Sequence, residues 1–310
     1  MFNTSEGEVT LTHDDKEYTF PTVPGTETET GVVSSRLRAD HTKITLDYGF
    51  ANTAPCRSAI TYVNGETGEL RYRGYKIEEL ADQASFPEVA YLLINGELPS
   101  KAELEEYEAE LRGHTLLNEE MKALFDAFPR GAHPMGILSS ATAGMSTFYE
   151  RYHDPKDADA VKESTVRLMA KLPTVAAFAY KKSIGQPYMY PRNDLTYVEN
   201  FLHMMFGLPV EEAKVDPVIA RALNVLLILH ADHGQNCSTA TVRFVGSSDA
   251  NLFASVAAGM TALWAPLLGG ANQAVVEMLS EIHDVPDMTV EQAVARAKDR
   301  DDPFRLMGFG

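Results

Sequence analysis

Basic residues are in short supply in this sequence. Lysine and arginine number 27 against 44 aspartates and glutamates, leaving a net charge of −17. Nucleic acid and anionic membranes select basic surfaces, so this balance argues against both as partners. Cysteine is rarer still. Cys56 and Cys237 provide no disulfide framework, which suits a reducing compartment and an expected cytoplasmic location. The opening MFNTSEGEV has neither the basic nor the apolar part of a targeting peptide. Also missing are the phosphate-cradling G-x-x-x-x-G-K-[ST] and G-x-G-x-x-G, the nucleophile elbow G-x-S-x-G and the zinc motif H-E-x-x-H. There is no internal repeat and no low-complexity linker. One uncharged run, Leu252 to Val276, could pass for a membrane span. Ser255, Thr261, Pro266, Gly269, Gly270, Asn272 and Gln273 interrupt it, so it reads as a buried helix that breaks at Pro266 rather than as a membrane span.

What is present divides unevenly. Residues 1–62 are β-rich: GEVTLT and KEYTFPTV alternate weakly, and SAITYVNGETGELRYRGY reads as two strands about a Gly-containing loop. From Lys76 the period becomes helical. KIEELADQ, PEVAYLLINGELPS (stopping at Gly96 and Pro99) and KAELEEYEAELRGHTLL read as helices. DADAVKESTVRLMAKLPTVAAFAYKK reads as a longer helix kinked at Pro173, and further helices are expected at 195–206, 216–232, 249–264, 271–282 and 289–299. The class is mostly α with a small β-rich N-terminal part.

Three stretches carry candidate chemistry. In LILHADHGQN, His230 and His233 stand three apart and would share a helix face. A metal site would need further ligands, and the neighbouring Asp232 points elsewhere on a helix; a satisfied core pair remains an alternative. The polar run Gly234, Gln235, Asn236, Ser238, Thr239 favours a helix ending at a wet pocket. WAPLLGGANQA is a Pro-broken Gly-Gly turn opening onto a helix, where backbone N–H groups favour anions; a tight turn between packed helices explains it equally well. GQPYMYPRNDL reads as an ordered loop with Arg192, ahead of a helix capped by Asn or Asp.

These stretches, read in order, closely resemble the citrate synthase family in its bacterial, usually hexameric form. The likeness rests on LILHADHGQNCSTATVRFVGSSDANLF and ALWAPLLGGANQAVVEML, together with SAITYVNGETGELRYRGYKIEELA, LLINGELP, FPRGAHPM, RLMAKLPT, SIGQPYMYPRNDL and FRLMGFG. It implies a large helical domain over 63–283 and, from 284 to 310, the start of a small domain whose remainder is absent. It implies condensation of acetyl-CoA with oxaloacetate to citrate and CoA, with no permanently bound cofactor and no metal. The chemistry is general-base catalysis with oxyanion stabilisation. By the resemblance, His233 binds oxaloacetate, His230 supports that pocket and Asn236 lines it. Gly269, Gly270 and Ala271 lie against the thioester, and Leu306, Met307 and Gly308 help to hold CoA.

The same resemblance sets three departures. Leu268 stands where the family carries its first catalytic histidine, and leucine offers no hydrogen-bond donor. The second catalytic histidine and the carboxylate base are expected beyond residue 310. Gly234 stands where the family usually has glutamate. The expectation is therefore a family member in which this chain is itself inactive. The alternatives are a catalytically dead assembly or regulatory paralogue, or a methylcitrate synthase. A nucleotide effector site for NADH is implied by His114, Thr115, Tyr149, Arg167, Lys171 and Asn193, although Gly113 and Val210 replace residues of that pocket; subunit packing is the competing use. A homodimer or hexamer is expected, with Leu252–Leu263 along the subunit contact and Gly259 in or beside it.

Overall fold

The computed structural model describes residues 7–25, 27, 29–212, 214–266, 269–285 and 288–308. The chain divides between Ala59 and Ile60 into two compact units.

In the first unit, β1 (Glu8–His13) and β2 (Lys16–Pro24) form an antiparallel hairpin with Val9 opposite Phe20. Asp14 and Asp15 turn it with positive φ, a conformation short polar side chains tolerate. β3 (Thr30–Val32) pairs with β2. A short helix, α1 (Leu37–His41), follows. The His41 ring packs edge-on against Tyr18 and Phe20, the latter buried.

The second unit opens with β4 (Thr61–Asn64), β5 (Glu69–Tyr72) and β6 (Tyr75–Lys76), an antiparallel meander with Thr61 opposite Tyr72. The two strands read from SAITYVNGETGELRYRGY are thus present. Helices follow: α2 (Ile77–Gln83), α3 (Phe86–Asn95), α4 (Lys101–Gly113), α5 (Met121–Ala127), α6 (Pro134–Met145), α7 (Ala158–Ile184), α8 (Tyr197–Phe206), α9 (Pro217–Leu229), α10 (Cys237–Gly246), α11 (Leu252–Leu263), α12 (Gly270–Asp284) and α13 (Val290–Lys298). Capping boxes start α3 at Ser85, α4 at Ser100, α8 at Thr196 and α13 at Thr289, each satisfying two otherwise orphaned donors. The cap before α8 is therefore Thr196 rather than the expected Asn193 or Asp194.

α7 is the central element. Leu168, Val175 and Phe178 pack with Phe125 of α5, Ile137 and Met145 of α6 and Phe253 of α11 in the main core. A second core joins Tyr72, Ile77, Leu80, Val89 and Leu92 to Ile228 near the end of α9. α7 runs through Pro173 without ending. Proline has no N–H, so the carbonyl four residues back, Met169, loses its helical donor. The hydroxyl of Tyr197 on α8 donates to that carbonyl at 2.8 Å. The break in the ladder thereby becomes the attachment point of the next helix.

Two expectations are corrected. α9 ends at Leu229, short of residue 232, because Tyr72 and two histidine rings take up its last carbonyls, as described below. α5, α6 and α10 lie where no helix was read. Pro, Gly and Ser in PMGILSSATAGM and the β-branched CSTATVRFVG weaken the periodic signal, and tertiary packing overrides it. α11 ends at Leu263, one residue short of the expected 264 and ahead of Pro266, where Trp264 lies against Gly136 of α6 and stacks on His133 with ring centroids 5.2 Å apart. Gly259 faces its own chain: a Cβ there would lie 2.5 Å from Val242 Cγ2 and 3.0 Å from Ser238 Oγ of α10. Its lack of a side chain therefore serves the α10–α11 crossing within the chain.

Candidate functional site

The residues of HADHGQN form a connection between α9 and α10. His230 is the C-terminal cap of α9 and Asn236 the N-cap of α10, its side chain accepting from Thr239 N at 2.9 Å. Helix ends leave backbone groups without intrahelical partners. Here those of α9 are met by side chains. His230 Nδ1 lies 2.7 Å from the Leu226 carbonyl and His233 Nε2 lies 2.8 Å from that of Leu229, each ring nitrogen donating. The Tyr72 hydroxyl donates to Ile228 O at 3.1 Å and accepts from Asp232 N at 3.2 Å. Burial pushes the Tyr72 phenol up from its ordinary pKa, and the nearby Asp232 charge adds to this against its backbone hydrogen bond.

The two histidines do not ride one helical face, yet their rings come together, stacked 6.5 Å apart with 14° between planes. Both are solvent-exposed. Gly234, at φ +72°, turns the chain away, with no neighbour where a Cβ would be. Asp232 is not the idle neighbour expected: its carboxylate accepts from the Thr61 hydroxyl of β4 and from Gly234 N. Sequence reading missed Thr61 and Tyr72 as parts of this turn. Only the inward alternation of β5 hints at Tyr72, and nothing local connects it to residues about 160 positions later.

The Gly-Gly segment begins α12. Leu268 lies outside the described residues, so the structure does not bear on the side chain at that position. Gly269 packs on the Leu263 carbonyl, 2.0 Å from where a Cβ would stand, and Gly270 N donates to Ala265 O at 3.2 Å. Ala271 is in the first turn of the helix. Leu306, Met307 and Gly308 run beside α12. Met307 N lies 3.2 Å from Met278 Sδ, and a Cβ on Gly308 would touch Val275.

Five of the six implied effector residues gather at the α4–α7 junction. The Arg167 guanidinium lies over the Tyr149 ring at 4.7 Å and Lys171 Nζ at 5.6 Å. Lys171 Nζ donates to His114 O at 2.8 Å and to Leu116 O, while Thr174 Oγ1 donates to Thr115 O at 2.9 Å. Burial, then the Arg167 charge, lowers the Lys171 pKa to about 8. Burial also lowers the His114 pKa, reinforced by Arg167. Glu163, unread from the sequence, bonds Arg167 and lies 3.8 Å from His114 Nε2. Asn193 sits in the exposed turn before α8. Among the described residues no cluster of three or more His, Cys, Asp or Glu could hold a metal, and no helix is long and apolar enough to cross a membrane.

The family described as "Citrate synthase, C-terminal domain" matches residues 49–310. Citrate synthase 1 of Mycobacterium tuberculosis is 51% identical over 306 residues, covering 99% of this chain and 71% of its own length. The citrate synthase of Corynebacterium glutamicum is 47% identical over 307 residues, covering 99% of this chain and 70% of its own. The crystal structure of citrate synthase from Pyrobaculum aerophilum superposes with TM-score 0.69 at 35% identity, covering 82% of this chain and 63% of that one. A citrate synthase from Thermoplasma acidophilum, in ternary complex with carboxymethyl coenzyme A and oxaloacetate, superposes with TM-score 0.72 at 26% identity over 84% of this chain and 66% of that one. The chain spans under two thirds of the solved relatives with which it superposes. Match to the family over most of the chain, near-half identity to curated members and a shared helical fold agree: the chain belongs to the citrate synthase family of enzymes.

Proposed function

We propose that residues 1–310 carry the oxaloacetate-binding portion of a citrate synthase, whose reaction joins acetyl-CoA to oxaloacetate to give citrate and CoA at the entry to the tricarboxylic acid cycle. The observation that supports this reading is the exposed, stacked His230–His233 pair on a turn held from both helices. With Nε2 directed to the Leu229 carbonyl, His233 has its other ring nitrogen, Nδ1, to offer to oxaloacetate. His230, fixed on Leu226, supports the stack. Asn236 orients the start of α10, and the side chain lines the same turn. Gly269, Gly270 and Ala271 with Leu306, Met307 and Gly308 contribute to the acetyl-CoA side. The protein acts in the cytoplasm as a homo-oligomer.

Turnover by residues 1–310 is a separate matter. Leu268 cannot donate to an enol oxygen, and loss of one such donor costs on the order of a hundred- to a thousandfold. Calorimetric titration with oxaloacetate should therefore show binding that His233→Ala weakens at least about tenfold, beside CoA release at least about a hundredfold below that of a relative. Equal affinity in His233→Ala would sink the site assignment. Release at a relative's rate would sink the inactivity. Faster reaction with propionyl-CoA would favour a methylcitrate synthase, and activity gained only on mixing with a full-length relative would favour an assembly role.

The cluster at His114, Tyr149, Arg167 and Lys171 favours a second reading, a site for the NADH effector, since cations and an aromatic face are held together there. Glu163 opposes it by neutralising Arg167. Fluorescence titration with NADH distinguishes the two: saturable binding lost in Arg167→Ala supports the site, and no binding assigns the cluster to packing.

A further inference from the structure

A set of side-chain hydrogen bonds reaches from the N-terminal hairpin of the second unit to the histidine turn. Thr61 starts β4 and Tyr72 ends β5, directly opposite each other in the ladder. Both direct their hydroxyls at the same residue. Thr61 Oγ1 donates to the Asp232 carboxylate, and Tyr72 OH accepts from Asp232 N at 3.2 Å while donating to Ile228 O at 3.1 Å. Tyr72 is fully buried, so its hydroxyl position is set by the core around it. The same Asp232 oxygen that Thr61 reaches also accepts from Gly234 N at 3.1 Å. Asp232 precedes His233 and Gly234 follows it. The histidine is therefore bracketed by the residue that carries the carboxylate and the one that donates to it, and the accepting oxygen is fixed to a strand.

We propose that Thr61, Tyr72 and Asp232 form a latch that positions His233, with Thr61 and Tyr72 as positioning residues supplied by the β4–β5 hairpin. That this serves oxaloacetate rests on the function proposed above; the latch itself does not. A preorganised donor avoids the cost of ordering the turn when ligand binds, so the latch contributes to affinity without touching the ligand. The acceptor bonds both go to one oxygen, which an amide oxygen can replace. The latch therefore depends on acceptor geometry, and the negative charge of Asp232 is dispensable.

The test uses the whole 310-residue chain with isotope-labelled histidine. In the ligand-free protein, His233 should show one ring tautomer with the proton on Nε2, bonded to Leu229. Thr61→Val, isosteric but without the hydroxyl, should broaden or shift the His233 ring signals while those of His153, bonded to Ser146 O elsewhere in the fold, stay put. Thr61→Ser and Asp232→Asn should restore the wild-type His233 signals, and Asp232→Ala should not. In an oxaloacetate titration the same variants should rank alike, with Thr61→Val about three- to tenfold weaker and Thr61→Ser near wild type. Where Asp232→Ala fails to fold, Thr61→Val and Tyr72→Phe carry the test. A His233 ring unchanged in folded Thr61→Val overturns the latch. A lowered melting temperature with no selective change at His233 also overturns it, in favour of a merely structural tie. A disturbed His233 in a chain whose wild type binds no oxaloacetate upholds the latch and overturns the oxaloacetate reading.

Discussion

α7 and the α9–α10 connection lie in the same unit but handle polar groups in opposite ways. α7 buries lysines and threonines and satisfies them with acceptors on the segments packed around it. Lys181, fully buried, donates to Gln186 Oε1 and Gly207 O, both at 2.7 Å; Lys171 donates to two carbonyls; Thr174 donates to Thr115. In the α9–α10 connection the histidines stay exposed, and α10 itself has no buried residue, leaving Phe244 82% exposed. Polar groups of the first kind hold helices together; those of the second leave an edge open to solvent. Residue type does not separate the two kinds. Burial and the identity of the bonding partner do.

The largest expected effect of testing this contrast is at Lys181. Lys181→Ala leaves a cavity in the α7 interior and removes the donor from Gln186 Oε1 and Gly207 O, and should destabilise the chain by about 3 kcal/mol in urea unfolding. A change under about 1 kcal/mol would mean that water replaces the ammonium and that the α7 interior is wetter than its burial suggests. Next is Tyr197→Phe, which strips the Met169 carbonyl of the donor that Pro173 denies it. A loss of about 1–2 kcal/mol is expected. The double variant Pro173→Ala with Tyr197→Phe should recover part of it, because alanine restores the helical N–H to that carbonyl.

A third test sharpens the comparison through pH. Lys171 has its folded pKa lowered to about 8 from an unfolded value of 10.5. Below pH 8 both states are protonated and the folded state bears the full cost of a buried charge. Between about pH 8 and the unfolded value, the unfolded chain binds more protons than the folded one, so this group's contribution to stability rises with pH. The melting temperature of wild type relative to Lys171→Met should climb across that window, and a flat difference would show the amine charged throughout. The smallest effect is expected at the exposed turn. Gly234→Ala meets no neighbour but must hold φ +72°, costing about 1 kcal/mol. A larger loss would show the turn to be as tightly determined as α7.

Much of the fold was legible without coordinates. The β4–β5 hairpin, α2 to α4, α7, α8 and α11 to α13 follow from period, capping residues and Gly or Pro stops. α6 and α10 were not legible, because small and β-branched residues blur the period and packing decides. At the candidate site, His230, His233 and Asn236 were readable as a polar cluster at a helix end. Asp232 was misread, since a helix continued to 232 would have turned it away from Thr61. The effector cluster was read from its cations and aromatic ring, whereas Glu163, one turn from Arg167, passed as an ordinary surface acid.

The sequence by itself determined the helical class, the approximate positions of the strongly periodic helices and the polar character of the histidine turn, because these depend on neighbours within one or two turns of chain. Tertiary structure alone decided where α9 stops, how Met169 finds a donor and what holds Asp232. Each of those outcomes depends on a hydroxyl or ring that reaches a freed backbone group, and for Tyr72 and Thr61 the two partners are brought together only when the hairpin packs against the end of α9.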